Sequence, residues 1–191
     1  MVKFNYEGVD YDLPQKWEEM TLSSYISFIE YRKSERYDSD YDGTRFFDAL
    51  LNKPIGFFDD MTIKQIKEIY STNEFDFDEK RLKKLTSYKK HIIVGDDTFS
   101  YPKTMEDMSN SEYVTFKNLS ANLKSEEQIL KLVPILLRKS IEVKDEFGNI
   151  NHKREKLDTS ILEERYEYLK DKILATDVIG CISAFIPGRK I

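Results

Sequence analysis

The chain has 191 residues, of which 40% are apolar and 34% charged, with 30 basic and 35 acidic side chains for a net charge of -5. Such a composition suits one moderate domain or two small ones and excludes collagen-like, low-complexity and membrane-spanning classes. Net acidity offers no general attraction for nucleic acid or anionic membrane, and one Cys with two His leaves little material for disulfide or metal chemistry.

In chain order, the first pattern is an alternating segment. Phe4 and Tyr6 precede a Glu7-Gly8 turn, and Val9, Tyr11 and Leu13 follow it. Alternation around a Gly-containing turn predicts a β-hairpin. Pro14 ends the second strand, because proline has no N–H to give a ladder. Thr21 then reads as the N-cap of a helix with Tyr25, Phe28 and Ile29 on its inward face. A short helix follows over Thr44–Asn52 and stops before Pro54. Thr62 with Gln65 caps a third helix, and the charged run Asp76–Lys90 reads as a solvated helix face or a linker.

The pattern then begins again at an offset of 88 residues. Between Pro14–Phe28 and Pro102–Phe116, six of fifteen pairs are identical and four more are conservative, with no gap. Ile92 and Val94, a Gly95-Asp96-Asp97 turn, then Phe99 and Tyr101 predict a second hairpin. Ser109 with Glu112 forms a capping box for a helix carrying Tyr113 and Phe116. Ser125 with Gln128 is expected to cap a helix running through Ser140, kinked or split by Pro134. Residues 141–157 read as an insertion with a turn at Glu146–Asn149. Ser160 with Glu163 is expected to cap a long helix bearing Leu162, Tyr166, Leu169 and Ile173. Val178–Ile186 is a final apolar helix, far short of the ~20 residues that span a bilayer.

The expected fold class is therefore α+β: a tandem duplication of a β-hairpin followed by helices, helix-rich overall. The expected units are residues 1–88 and 89–191, the second with the insertion 141–157 and the apolar C-terminal helix. Superposing residues 1–30 on 89–118 should align hairpin and helix.

Few residues suggest chemistry. Asp38-Ser39-Asp40-Tyr41-Asp42-Gly43 copies half of a calcium loop, but Ala49 stands where the bidentate Glu is needed and Arg45 where an apolar residue is needed. An acidic turn is the favoured reading. Lys80, Arg81, Lys83, Lys84, Lys89 and Lys90 form a basic run with Tyr88 inside it. A nucleic-acid patch would use such cations on phosphates and the ring for stacking. The run is preceded by Asp76, Asp78 and Glu79, which favours a solvated face, so nucleic acid is the less favoured partner. His91 and His152 have no second ligand at metal spacing. Cys181 lies among apolar residues, where a thiol is inert. No phosphate-binding glycine motif or nucleophile motif occurs. The expectation is a protein that is not an enzyme and uses no cofactor or metal.

The doubled pattern resembles small proteins encoded in the structural gene clusters of tailed phages. The residues carrying it are Trp17–Phe28, Ile92–Phe116, and an ending from Glu164-Arg165 through Asp177-Val178-Ile179-Gly180 to Phe185. Such proteins are usually labelled tail assembly chaperones or baseplate-hub assembly proteins, with look-alikes in crAss-like and other Bacteroidetes phages. The resemblance implies a morphogenesis or virion structural protein of the neck, tail or baseplate, acting through protein–protein contacts. A transient assembly chaperone absent from the mature particle is the alternative within that class. The implied partners are other phage structural proteins, with a homo-oligomeric ring by analogy and no membrane. The implied place is the host cytoplasm during assembly and then the virion. Contacts are expected through Trp17, Tyr25, Phe28, Tyr113, Phe116, Ile182 and Phe185. The competing class, a nucleic-acid-binding accessory protein, would use Lys83, Lys84, Lys89 and Lys90.

Overall fold

A computed structural model of the chain describes residues 1–34, 43–85, 89, 91–121 and 130–185. The fold is α+β and helix-rich. Contacts divide it into two units, Met1–Leu85 with Leu174–Thr176, and Thr86–Ile173 with Asp177–Ile191.

In the first unit, strands β1 (Val2–Tyr6) and β2 (Val9–Leu13) pair antiparallel from Val2↔Leu13 to Tyr6↔Val9. Glu7 (φ 51°) and Gly8 (φ 81°) both take positive φ, the signature of the hairpin turn whose twist matches the strands. One 3-10 turn, Trp17–Glu19, leads to α1 (Leu22–Lys33). Thr21 caps α1, its hydroxyl accepting from the Ser24 N–H at 3.2 Å. Helices α2 (Gly43–Leu50), α3 (Ile63–Ser71) and α4 (Glu79–Leu85) complete the unit. The predicted capping box at Thr62 and Gln65 is present. The run expected as a solvated face or linker contains α4, which buries Leu82 and ties Arg81 to Glu18 at 2.8 Å and to Asp76. Leu174–Thr176 belongs to this unit: Thr21 bridges Leu174, and the Ala175 N–H donates to the Met20 carbonyl at 2.9 Å.

The core of the first unit is aromatic. Phe58 lies 5.6 Å from Phe4, 5.1 Å from Tyr6 and 5.3 Å from Tyr11 between ring centroids. A second cluster places Trp17 5.9 Å from Tyr25, 5.8 Å from Phe28 and 5.2 Å from Phe77. Edge-to-face rings add to the area they bury. Residues 1–85 hold 16 of the 25 aromatic side chains, so the aromatic excess belongs mainly to one unit rather than equally to both repeats.

Asp48 supports this core from within. It is 2% exposed, and its carboxylate accepts from the Gly56 N–H at 2.7 Å and the Phe58 N–H at 3.2 Å. These bonds hold the turn that delivers Phe57 and Phe58 to the hairpin. Replacing Asp48 with Ala should lower the unfolding free energy by about 2–3 kcal/mol in urea titration, since two N–H groups lose their acceptor. Burial pushes the Asp48 carboxyl above the usual aspartate range, against the backbone donors that favour its charge. A carboxyl raised in the folded state holds its proton more tightly there than in the unfolded chain. The advantage of the parent over Asp48→Ala should therefore be full below about pH 4 and shrink as pH rises through the folded value.

The second unit opens on the repeat. Strands β3 (His91–Val94) and β4 (Asp97–Ser100) form the second hairpin, a 3-10 turn spans Met105–Asp107, and α5 (Asn110–Ser120) follows. The offset of 88 maps Trp17–Glu19 onto Met105–Asp107 and Thr21 onto Ser109. Backbone angles agree: Met20 is at φ -81°, ψ 131° and Met108 at -79°, 143°, while Thr21 is at -71°, 167° and Ser109 at -66°, 157°. Each cap hydroxyl accepts the N–H three residues on, so the same local chemistry starts both helices.

Beyond α5 the chain departs from the expected elements. Ser125 and Gln128 lie outside the described residues. Among the described residues the expected helix is helical at Leu130 and over α6 (Val133–Leu136), has Pro134 in the first turn of α6, where a missing N–H costs nothing, and does not reach Ser140. Arg138–Ser140 is strand, because Arg138 pairs with Ser100 and Lys139 with Phe99. Residues expected as an insertion belong to a hairpin, β5 (Arg138–Lys144) and β6 (Ile150–Arg154), which gives a sheet ordered β3-β4-β5-β6. The cap expected at Ser160 is displaced too. Asp158 caps a 3-10 turn at Thr159–Ile161 by accepting the Ser160 N–H at 2.9 Å, and α7 (Leu162–Lys170) starts from Ile161.

The final helix, α8 (Ala175–Phe185), buries Val178, Ile179, Cys181, Ile182 and Phe185. With Leu130, Val133, Ile135, Leu136 and Leu169 they make a mainly aliphatic core for the second unit. Among the described residues no helix is long and apolar enough to cross a membrane.

Candidate functional site

Most side chains expected to make contacts are core residues. Trp17, Tyr25, Phe28, Phe116, Ile182 and Phe185 are each 4% exposed or less. Their rings and branches fill the two cores, which withdraws them from any surface. Tyr113 is the exception at 40%, with the Lys117 ammonium 5.6 Å from its ring centroid. It was expected to face inward like its counterpart Tyr25. Trp17 shelters Tyr25, whereas Met105 stands at the matching place in the second unit and supplies no ring.

The basic run is partly consumed by ion pairs. Lys83 and Lys84 are exposed on α4, Arg81 pairs with Glu18 and Asp76, and Lys89 reaches Asp177 at 2.5 Å. Lys90, Tyr88 and the acidic loop Asp38–Asp42 lie outside the described residues. Gly43, the last residue of the calcium-like half-motif, begins α2.

Both histidines border one open concavity of about 400 Å3 on the second unit's sheet, with Asp96, Asp97, Thr98, Lys139, Ser140 and Glu142. Glu142 is the cross-strand partner of His152. Lys139 is occupied by Asp97 at 2.8 Å. A general base works best when a hydrogen bond to a neighbouring group orients it. None is recorded for His91 or His152 among the described residues, and both imidazoles are exposed. Among the described residues no group of three or more His, Cys, Asp or Glu could hold a metal ion. Cys181 is fully buried, and burial pushes its thiol up, away from the reactive thiolate.

The most constrained charges are interior. Glu112, 2% exposed, accepts the Ser109 N–H at 2.7 Å as half of the capping box. Its other oxygen meets Arg138 Nη2 at 2.5 Å and Arg154 Nη2 at 2.7 Å. Arg154 also donates to the carbonyls of Ser100 at 3.2 Å and Leu136 at 2.8 Å, and Arg165 pairs with Glu155 at 2.6 Å. Three guanidinium groups thus face two carboxylates, and burial pushes the Arg138 guanidinium down. Arg138 Nε and Nη1 make no hydrogen bond among the described residues. The network ties α5 to β4, β5, β6 and α6. Only Glu112 among its members was legible in the sequence, through its place in the capping box.

The surface features that remain are strand edges and a hairpin. β6 is exposed over Ile150–Lys153, and no strand pairs with its outer side among the described residues. Phe147 at the turn is 82% exposed, Ile150 55% and Ile141 45%. Five residue pairs join β5 to β6 but only two join β5 to β4, so the hairpin outruns the sheet that carries it. Asp145 shapes its turn, accepting from the N–H groups of Phe147 at 2.9 Å and Asn149 at 2.8 Å. The alternation Ile141, Val143 before Gly148 and Ile150 after it carried that hairpin signal. Comparison with family models, curated proteins and solved structures returns no match for this chain.

Proposed function

We propose that the protein is a non-enzymatic morphogenesis or virion structural component of a tailed phage, working in the neck, tail or baseplate through protein–protein contact. The phage assignment comes from the doubled hairpin-and-helix pattern over Trp17–Phe28 and Ile92–Phe116. The contact mechanism is carried by one observation: the β5–β6 hairpin outruns its sheet with Phe147, Ile141 and Ile150 in solvent. Exposed apolar groups beside an open strand edge are what a partner strand or groove uses. The two imidazoles, open to water and with no orienting hydrogen bond among the described residues, favour contact over catalysis.

Mass spectrometry of purified particles tests the reading. The protein at a stoichiometry fixed relative to the tail or neck proteins is the expected result. Expression without incorporation points instead to a transient assembly chaperone. A salt-dependent shift of DNA or RNA lost on neutralising Lys83 and Lys84 would overturn the contact reading in favour of nucleic-acid binding.

A further inference from the structure

We infer that a second copy of this chain adds its β6 strand to the outer edge of β2, joining copies head to tail. The inference deepens the contact reading and rests on it, naming one partner and the surface that receives it.

Four observations lead there. First, the edge of β2 is open. With a two-residue turn, Tyr6↔Val9, Phe4↔Tyr11 and Val2↔Leu13 are the pairs that exchange hydrogen bonds, so Asp10 and Asp12 turn their N–H and C=O groups outward. No strand pairs with that edge among the described residues. Second, the repeat shows what such an edge accepts. β4 is the counterpart of β2 at the offset of 88, and its outer edge receives β5 at Phe99↔Lys139 and Ser100↔Arg138. Phe99 and Ser100 correspond to Tyr11 and Asp12. The second unit fills from its own chain a place that no strand takes in the first among the described residues.

Third, β6 is a strand with an open edge. The Glu155 N–H donates to the Lys139 carbonyl at 2.9 Å and the Asp145 N–H to the Asn149 carbonyl at 3.0 Å. The bonded rungs of β6 are therefore the odd residues, and Ile150, His152 and Arg154 direct their backbone groups outward. Fourth, the charges choose the pairing. β2 presents exposed Asp10 and Asp12, in a unit whose residues 1–85 hold 13 basic and 18 acidic side chains. β6 and its continuation present exposed Lys153 and Lys156, neither with an ion pair among the described residues. Pairing β2 with β2 sets aspartates against aspartates, which is unfavourable, and pairing β6 with β6 leaves Asp10 and Asp12 without a basic partner across the joint. β6 on β2 sets opposite signs together, with Asp12 already 3.7 Å from the exposed Lys3 of its own hairpin. A joint between unlike surfaces closes into a ring or runs on as a filament.

Sedimentation velocity on the full chain tests this. The parent should associate as concentration rises, with affinity falling as salt rises. Asp10→Pro and His152→Pro each remove one outward N–H, a change that edge strands tolerate. Each variant alone should stay monomeric, and an equimolar mixture should stop at a one-to-one dimer. A parent monomeric throughout overturns the inference, as does either proline variant that still self-associates. Should a proline variant lose its native circular dichroism, charge reversal replaces it. Asp10→Lys with Asp12→Lys, or Lys153→Glu with Lys156→Glu, should weaken association about tenfold or more, and all four together should restore it. Failure to restore overturns the pairing. A parent chain that stays monomeric yet is incorporated into particles would sink this inference and leave the proposed function standing.

Discussion

Replacing Glu112 with Gln is expected to lower the unfolding free energy by about 3–5 kcal/mol, measured by urea denaturation followed by circular dichroism. Gln is a good residue at this position of a capping box, so the bond to the Ser109 N–H survives. The change therefore isolates the charge. Glu112 is the carboxylate between the Arg138 and Arg154 guanidinium groups, and Arg138 is only 4% exposed. Without it, two cations remain in the interior of the second unit with Glu155 as the nearby acid. Removing one partner of a buried pair is costly because the other cannot return to water. The companion variant, Glu112→Gln with Arg138→Met, should recover part of the loss by taking away the stranded charge. A cost below about 1 kcal/mol for Glu112→Gln, the range of exposed pairs, would show that water already screens the cluster.

The second large effect is expected at Trp17. Trp17→Ala should cost about 3–5 kcal/mol, the range for emptying a buried aromatic site. The side chain is fully buried, touches the rings of Tyr25, Phe28 and Phe77, and donates from Nε1 to the Asp78 carbonyl at 2.9 Å. Trp17→Phe keeps most of the ring contact and loses that bond, so about 1–2 kcal/mol is expected. The Asp78 carbonyl still accepts the N–H groups of Arg81 and Leu82, which limits the penalty. As the sole tryptophan, Trp17 makes intrinsic fluorescence in the parent a reporter of the first unit. Circular dichroism must follow the Ala variant. A Trp17→Ala protein as stable as Trp17→Phe would mean that the neighbouring rings close over the vacated space.

Both sites show how far the chain could be read in advance. Thr21, Thr62 and Ser109 were legible as caps, because a hydroxyl that accepts an N–H two or three residues on needs nothing distant. Both hairpins were legible for the same reason: alternation and turn residues act over fewer than ten positions. The helix expected through Ser140 failed where a distant strand intervened. Leu136–Lys139 are good helix formers, yet the free edge of β4 takes Arg138 and Lys139 as partners. Long-range pairing overrides local propensity.

The contact residues failed for a related reason. An aromatic side chain has the same local signature in a core as at an interface, and only the packed neighbours separate the two. Trp17, Tyr25, Phe28 and Phe116 proved to be core, while Tyr113, the repeat partner of Tyr25, stands in solvent. Two copies of one pattern thus diverge wherever the other side of the contact differs.

The amino-acid sequence alone determined the duplication, the α+β class, the hairpins and the caps, since each depends on neighbours in the chain. It also determined the narrow chemical inventory of one Cys and two His. Tertiary structure decided which copy of the hairpin is extended, that Glu112 holds two arginines in an interior, and that Leu174–Thr176 returns to the first unit. These outcomes depend on residues far apart in sequence meeting in a common environment. Burial and pairing partners belong to that environment, so no local pattern of letters could specify them.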